Sequence, residues 1–173
     1  MSKVLVVVDM IKGFLRERTR DGPCKLYVKG ADSIIPNILR EIKTADDVIF
    51  VCDSHERNDS EFIKWGPHAI RGSEECEIVE ELRVRSYYPF EKTRFSGFYQ
   101  TTLNMAIAHP NPPDELIIAG VFTDICIFAT ALDACYRNYN VTIIKDCVYP
   151  IDANRGDYLL KYLTDMFSNF KVR

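Results

Sequence analysis

The chain has 173 residues, of which 47% are hydrophobic and 27% charged, with a formal net charge of -3. This balance suits one soluble globular domain over residues 1–173 and excludes a disordered chain. No basic stripe favours nucleic acid, and no run approaches the ~18 consecutive apolar residues of a membrane span.

The opening "MSKVLVVVDM" is read as a buried strand over residues 4–8, because a continuous β-branched run suits a strand covered on both faces. No small-residue cleavage site follows it, so a signal peptide is not expected. "SIIPNILREIK" (33–43) has the apolar period of a helix. "DVIFVCD" (47–53) is a second buried strand. Residues 54–72 are polar and rich in turn formers, and read as a long functional loop. "EIVEEL" (77–82) reads as a short helix. "SYYPFEK" (86–92) reads as an edge strand, because Pro89 cannot donate to a ladder. "TTLNMAIAH" (101–109) is a helix stopped by "PNPP". Then follow a buried strand "ELIIAGV", a helix "DICIFATALDACYRNY", a strand "VTIIKD", a helix "RGDYLLKYLTDMF" and a last edge strand "FKVR". Strands alternating with helices predict an α/β fold, a three-layer α/β/α arrangement around a mostly parallel central sheet.

In such sheets ligands bind beyond the carboxyl ends of the strands. Four unusual polar residues are expected there: Asp9, Asp53, Lys92 and Cys126. A thiol, an ammonium and a carboxylate together make chemistry possible that none performs alone. The thiolate is the nucleophile, a nearby ammonium favours it, and a carboxylate takes and returns its proton. Of the six cysteines, Cys126 alone is placed in the first turn of a helix, with Thr123 and Asp124 as candidate caps. The others are read as reduced thiols of a cytoplasmic protein. Backbone N–H groups of the 120–126 turn offer an oxyanion hole. The arrangement describes a cysteine hydrolase acting on an amide through a thioester.

A second group lies in "CDSHERNDSEFIKWGPHAIRG". Asp53 and His55 are two apart on an extended segment, so their side chains share a face. Glu61 and His68 follow. Carboxylates and imidazoles of this kind suit zinc or a similar divalent ion. Trp65, the only tryptophan, is either core or a flat wall for an aromatic ligand. Phe14 and Phe95 are candidates for the same wall.

These segments resemble the isochorismatase-like cysteine hydrolases, and within them the nicotinamidases, over nearly the whole chain. "VVVDMIKGF" resembles the family's opening strand, "EKTRFSGF" its lysine segment and "AGVFTDICI" its nucleophile segment. The resemblance implies Asp9 as acid/base, Lys92 as catalytic cation and Cys126 as nucleophile. It implies a cis Val121–Phe122 peptide, with the Phe122 and Cys126 amides binding the oxyanion. It implies Phe14, Trp65 and Phe95 as substrate-binding aromatics. Asp53, His55, Glu61 and His68 match the ligands of one divalent ion: Zn2+ first, Fe2+ or Mn2+ otherwise. The implied reaction converts nicotinamide to nicotinate and ammonia, with pyrazinamide as another substrate, and the family often forms homo-oligomers. In three respects the chain departs from the pattern: the loop after Lys92 is shorter than in some members, Phe95 stands where some carry a tyrosine, and the chain is compact, at the short end for the family. The nearest alternative is another amidase or ureido-acid hydrolase of the same superfamily. A non-catalytic binding module and a redox sensor are the alternatives from other classes.

Overall fold

The computed structural model describes residues 1–83 and 89–173. Its strands are β1 Lys3–Val8, β2 Arg18–Thr19, β3 Gly22–Pro23, β4 Asp47–Asp53, β5 Phe90–Lys92, β6 Glu115–Val121, β7 Val141–Tyr149 and β8 Phe170–Val172. Its α-helices are α1 Lys12–Leu15, α2 Ile35–Ile42, α3 Phe62–Trp65, α4 Leu103–Ala108, α5 Phe128–Tyr136 and α6 Ala153–Met166. Six strands form one sheet in the order β5-β4-β1-β6-β7-β8, and every pairing in it is parallel. Strands β2 and β3 form a separate antiparallel pair.

The apolar run of β1 is continuous because both faces of the sheet are covered. Successive side chains alternate between faces. Val4, Val6 and Val8 enter a cluster with residues of α4, α5 and α6, including Leu103, Ala131 and Leu160. Leu5 and Val7 enter a second cluster with Phe14 of α1 and Ile35, Ile38 and Ile42 of α2. The fold is therefore α/β/α around a parallel sheet. No helix among the described residues is long and apolar enough to cross a membrane.

Three local expectations change. Residues 77–82 are not a helix. The Glu77 carbonyl accepts from Lys12 N–H at 2.8 Å, Val79 N–H donates to the Met10 carbonyl at 3.1 Å, and Ile78 bridges Ile11. With that backbone engaged by residues 10–12, only 3-10 turns remain, at Glu74–Cys76 and Glu80–Leu82. Of "SYYPFEK", Phe90–Lys92 form a strand on the edge of the sheet, Pro89 stands outside it, and residues 86–88 lie outside the described residues. The strand "VTIIKD" runs on to Tyr149, with a register shift against β6 between Ile118 and Gly120.

The topology places the site. From β1 the chain moves outward through β4 and β5, then returns to β6 on the other side of β1. The strand order reverses there, and the carboxyl ends of β1, β4 and β6 open on a common crevice. Gly120, near the end of β6, has a φ of +117°, and a Cβ on it would lie 2.0 Å from the Val8 carbonyl oxygen. Only glycine permits that approach of the two backbones.

Candidate active site

Asp9 is the first residue past β1, in a left-handed turn with φ 55°. Its N–H donates to the Val51 carbonyl at 2.8 Å, which ties it to β4. Its side chain is fully buried. Asp9 Oδ1 accepts from the Asp53 N–H at 2.8 Å. Lys92, the last residue of β5, is also buried. Its ammonium lies 2.8 Å from Asp9 Oδ2 and 2.5 Å from Asp53 Oδ1, and it donates to Cys126 Sγ at 3.5 Å. The parallel register sets Asp53 beside Lys92, so strand pairing itself delivers the ammonium to the carboxylates. Cys126 follows β6 within a single π turn, Thr123–Ile127, and the Val121–Phe122 peptide is cis.

Thr123 and Asp124 do not cap this turn. Phe122 occupies the cap position, with no side-chain hydrogen bond. Asp124 instead accepts from the Ile151 and Asp152 N–H groups and from the Arg155 guanidinium. It pins the start of α6, and with it Ile151, against the turn that carries Cys126.

The charge states follow from this enclosure. Burial and the Asp53 charge raise the Asp9 carboxyl to about 6, against the pull of Lys92. At neutral pH most of it remains ionised. Burial alone would discharge Lys92, but Asp53, Asp9 and Cys126 hold its ammonium well above the usual lysine value. Burial pushes the Cys126 thiol well above its ordinary value; Lys92 pulls it down, and Asp9 and Asp53 push it up. The resting group is therefore carboxylate, ammonium and protonated thiol. Elementary reasoning from a single nearby cation predicts a resting thiolate; the ammonium does not produce one, because burial first and then two carboxylates oppose it.

The group predicted to hold a metal is also brought together. The 54–72 loop folds back on itself: His55 N–H donates to the Ala69 carbonyl, and Arg71 N–H to the His55 carbonyl, each at 2.9 Å. That closure brings the His55 and His68 rings to 4.7 Å between centroids. Asp53, His55 and His68 present potential ligand atoms within 4.8 Å of one another. His55 Nε2 is buried with no hydrogen-bond partner among the described residues, 3.7 Å from Asp53 Oδ2 and 3.8 Å from Glu61 Oε2. These separations are too long for hydrogen bonds. They suit oxygen and nitrogen donors sharing an ion at about 2.0–2.2 Å from each. His68 Nδ1 lies 2.8 Å from the Gly66 carbonyl, which can only accept, so Nδ1 carries the proton and Nε2 the lone pair. Burial also lowers the His68 pKa, which favours the neutral, ligating form. The residues present therefore fit a divalent ion.

A cavity of about 220 Å³ opens over both groups. Its lining includes Phe14, Asp53, Glu61, Trp65, His68, Phe95, Phe122 and Cys126. Trp65 is thus a pocket wall rather than core. The volume is below the ~300 Å³ typical of drug-sized sites, so the ligand is small.

Sequence reasoning missed several contributors. Phe62 packs edge-on against both imidazoles, at 5.5 Å from His55 and 5.4 Å from His68. Asp59 accepts from His55 Nδ1 at 3.1 Å and is gripped by Arg94. Burial would raise the Asp59 carboxyl, but the Glu61 N–H, His55 and Arg94 outweigh it and hold it at about 2. Lys25 lines the pocket and has no carboxylate partner among the described residues. The "DSHERND" spacing offered a signal for Asp59, because a carboxylate four residues after a ligating histidine can reach its far nitrogen. Nothing in the sequence pointed to Lys25.

Comparison with known proteins places this geometry. A probable inactive nicotinamidase of Arabidopsis thaliana is 35% identical over 162 residues, covering 84% of this chain and 79% of the relative. Among solved structures, N-carbamoylsarcosine amidase from Thermoplasma acidophilum superimposes with a TM-score of 0.83 at 31% identity, covering 100% of this chain and 96% of that one. The pyrazinamidase of Pyrococcus horikoshii in complex with zinc gives a TM-score of 0.82 at 25% identity, covering 100% and 99%. The isochorismatase domain family model matches residues 3–170, and the chain belongs to that family.

Proposed function

We propose that this chain is an amide hydrolase that converts nicotinamide to nicotinate and ammonia through a thioester on Cys126, with pyrazinamide as a second substrate. The observation that carries this reading is the Lys92 ammonium in reach of Asp9, Asp53 and Cys126 at once, with Asp53 and Cys126 themselves in the lining of a small pocket that also carries several aromatic residues. Asp53, His55, Glu61 and His68 are the residues that would hold a divalent ion, zinc, iron or manganese. When bound, that ion supplies a Lewis-acidic docking point for a ring nitrogen.

The chain's own residues do the rest. Phe14 and Trp65 bound the ring, and a rigid ring held in one orientation presents its carboxamide carbon to Sγ. Asp9 takes the thiol proton as Sγ bonds to that carbon, while Lys92 holds the charges of the pair. The carbonyl oxygen becomes an oxyanion, received by the Phe122 and Cys126 amides. Asp9 returns the proton to nitrogen, the C–N bond breaks and ammonia leaves. Asp9, ionised again, deprotonates a water that adds to the thioester. The C–S bond then breaks, and Sγ regains its proton from Asp9. An Asp9 carboxyl near 6 suits a group that must both accept and donate near neutral pH.

The test is ammonia release from nicotinamide by protein loaded in turn with Zn2+, Mn2+ and Fe2+, with Cys126→Ala as control. Turnover by the wild type and none by the variant is expected. A wild type silent with all three metals sinks the reading.

Lys25 favours a second reading. A cation in the pocket lining with no carboxylate partner among the described residues suits a substrate whose far end is a carboxylate, as in an N-carbamoyl amino acid. The similarity to N-carbamoylsarcosine amidase points the same way. Ammonia release from N-carbamoylsarcosine, without release from nicotinamide, would select it.

A further inference from the structure

We propose that Asp59, clamped by Arg94, is a positioning residue that fixes His55 as an Nε2 metal ligand and so ties the metal group to the segment that carries Lys92. The inference rests on the metal-holding role given above to Asp53, His55, Glu61 and His68.

An ionised carboxylate only accepts hydrogen bonds. Asp59 Oδ2, 3.1 Å from His55 Nδ1, therefore requires a proton on Nδ1. The lone pair of the neutral ring is then on Nε2, the atom left without a partner between Asp53 and Glu61. A carboxylate on the far nitrogen of a ligating histidine orients the ring and makes it a stronger donor. Asp59 is well made for that task, because its side chain is only 6% exposed and each oxygen is engaged. Oδ1 accepts from the Glu61 N–H at 2.9 Å, so the same carboxylate sets the backbone that carries another member of the donor group.

Arg94 supplies the clamp. Its Nη1 lies 2.9 Å from Asp59 Oδ1 and 3.0 Å from Oδ2, and it also donates to the Thr93 carbonyl. Its Nη2 donates to Ser60 Oγ at 3.2 Å. Arg94 is two residues past Lys92. One short segment thus delivers the ammonium to Cys126 and holds the brace of His55.

The experiment is competition for Zn2+ against a chromophoric chelator, with wild type, Asp59→Ala, Asp59→Asn and Arg94→Gln. The thermal midpoint of each metal-free protein and the ring 15N shifts of His55 in the zinc-loaded protein are recorded in parallel. Asp59→Ala is expected to weaken zinc binding about 10–100-fold. Asp59→Asn, whose amide oxygen still accepts from Nδ1, recovers part of the loss, and Arg94→Gln loses less than Asp59→Ala. The 15N shifts report a protonated Nδ1 in the wild type and lose that signature in Asp59→Ala. If Asp59→Ala does not fold, Asp59→Asn and Arg94→Gln decide alone. Wild-type zinc affinity and unchanged His55 shifts in the folded variants overturn the proposal while leaving the metal reading intact. A wild type that does not bind zinc overturns the metal reading itself, and this proposal with it.

Discussion

The Lys92 ammonium lies 2.5 Å from Asp53 Oδ1, so the cation beside the Cys126 thiol also touches the first carboxylate of the candidate metal group. Both side chains are buried, and Asp9 shares the same ammonium at 2.8 Å. Removing that ammonium leaves two carboxylates without their counter-charge inside the protein. Breaking a buried pair in this way costs about 3–5 kcal/mol. Lys92→Met is therefore expected to lower the stability of the metal-free protein by roughly that amount, as well as to abolish turnover. Urea denaturation checks it, and an unshifted midpoint would mean that the pair is not formed in solution.

A second expectation concerns the join between β1 and β6. Gly120 combines a φ of +117° with a Val8 carbonyl oxygen 2.0 Å from any added Cβ. The contact is backbone, so no flexible side chain can swing away. Gly120→Ala should destabilise the fold by at least about 1–3 kcal/mol, the cost of a strained backbone position. It should also displace Asp9 from Lys92, because Asp9 follows Val8 directly. Thermal unfolding and ammonia release should fall together.

What was legible in the sequence, and what was not, divides along physical lines. The β-branched run of β1 and the apolar runs of β4 and β6 announced buried parallel strands, because a strand covered on both faces has no polar alternation. Asp9, Asp53, Lys92 and Cys126 were legible because strand ends in a parallel sheet share one edge. Residues 77–82 were misread because their own pattern carries no trace of residues 10–12, whose backbone they pair with. Asp124 was misread as a local cap, although its partners lie 27 to 31 positions away. Arg94 and Asp59 escaped notice for the same reason: charged residues in loops are ordinary, and only the fold brings these two together.

The acidic end of the stability profile should depend on Lys12. Its ammonium is within 2.6 Å of Glu74, 3.1 Å of Glu77 and 2.7 Å of Glu80. Hydrogen bonds from Lys12 hold Glu74 and Glu80 below the usual glutamate value; Arg83 and then Lys12 do so for Glu77. A carboxyl depressed in the folded state adds stability above its unfolded value of about 4.3, and loses it as pH falls through the lower folded value. Burial opposes the charge on Lys12, but the three glutamates raise its pKa above the ordinary value. Its contribution is therefore complete below the unfolded value of about 10.4 and does not fade near neutrality. The wild type should be more stable than Lys12→Met at pH 7, and the difference should shrink below about pH 4. Urea midpoints at pH 3, 5 and 7 measure it, and a difference independent of pH would remove the cluster from the account.

Lys25 separates the two substrate readings. It lines the pocket beside Trp65 and crosses over Gly66, where a Cβ would meet its ammonium at 2.0 Å. Nicotinamide is neutral and offers that ammonium no counter-charge. Replacing Lys25 by Gln should therefore leave kcat/KM for nicotinamide within about twofold, while a carboxylate-bearing N-carbamoyl substrate should lose on the order of fivefold, as expected for an exposed ion pair. Lys25 is solvent-exposed, so the pair should also weaken with salt, and the preference should narrow between low and high ionic strength. Steady-state kinetics on both substrates in wild type and Lys25→Gln give the answer. Equal losses on the two would mean that Lys25 shapes the pocket by packing, and that charge plays no part in the choice of substrate.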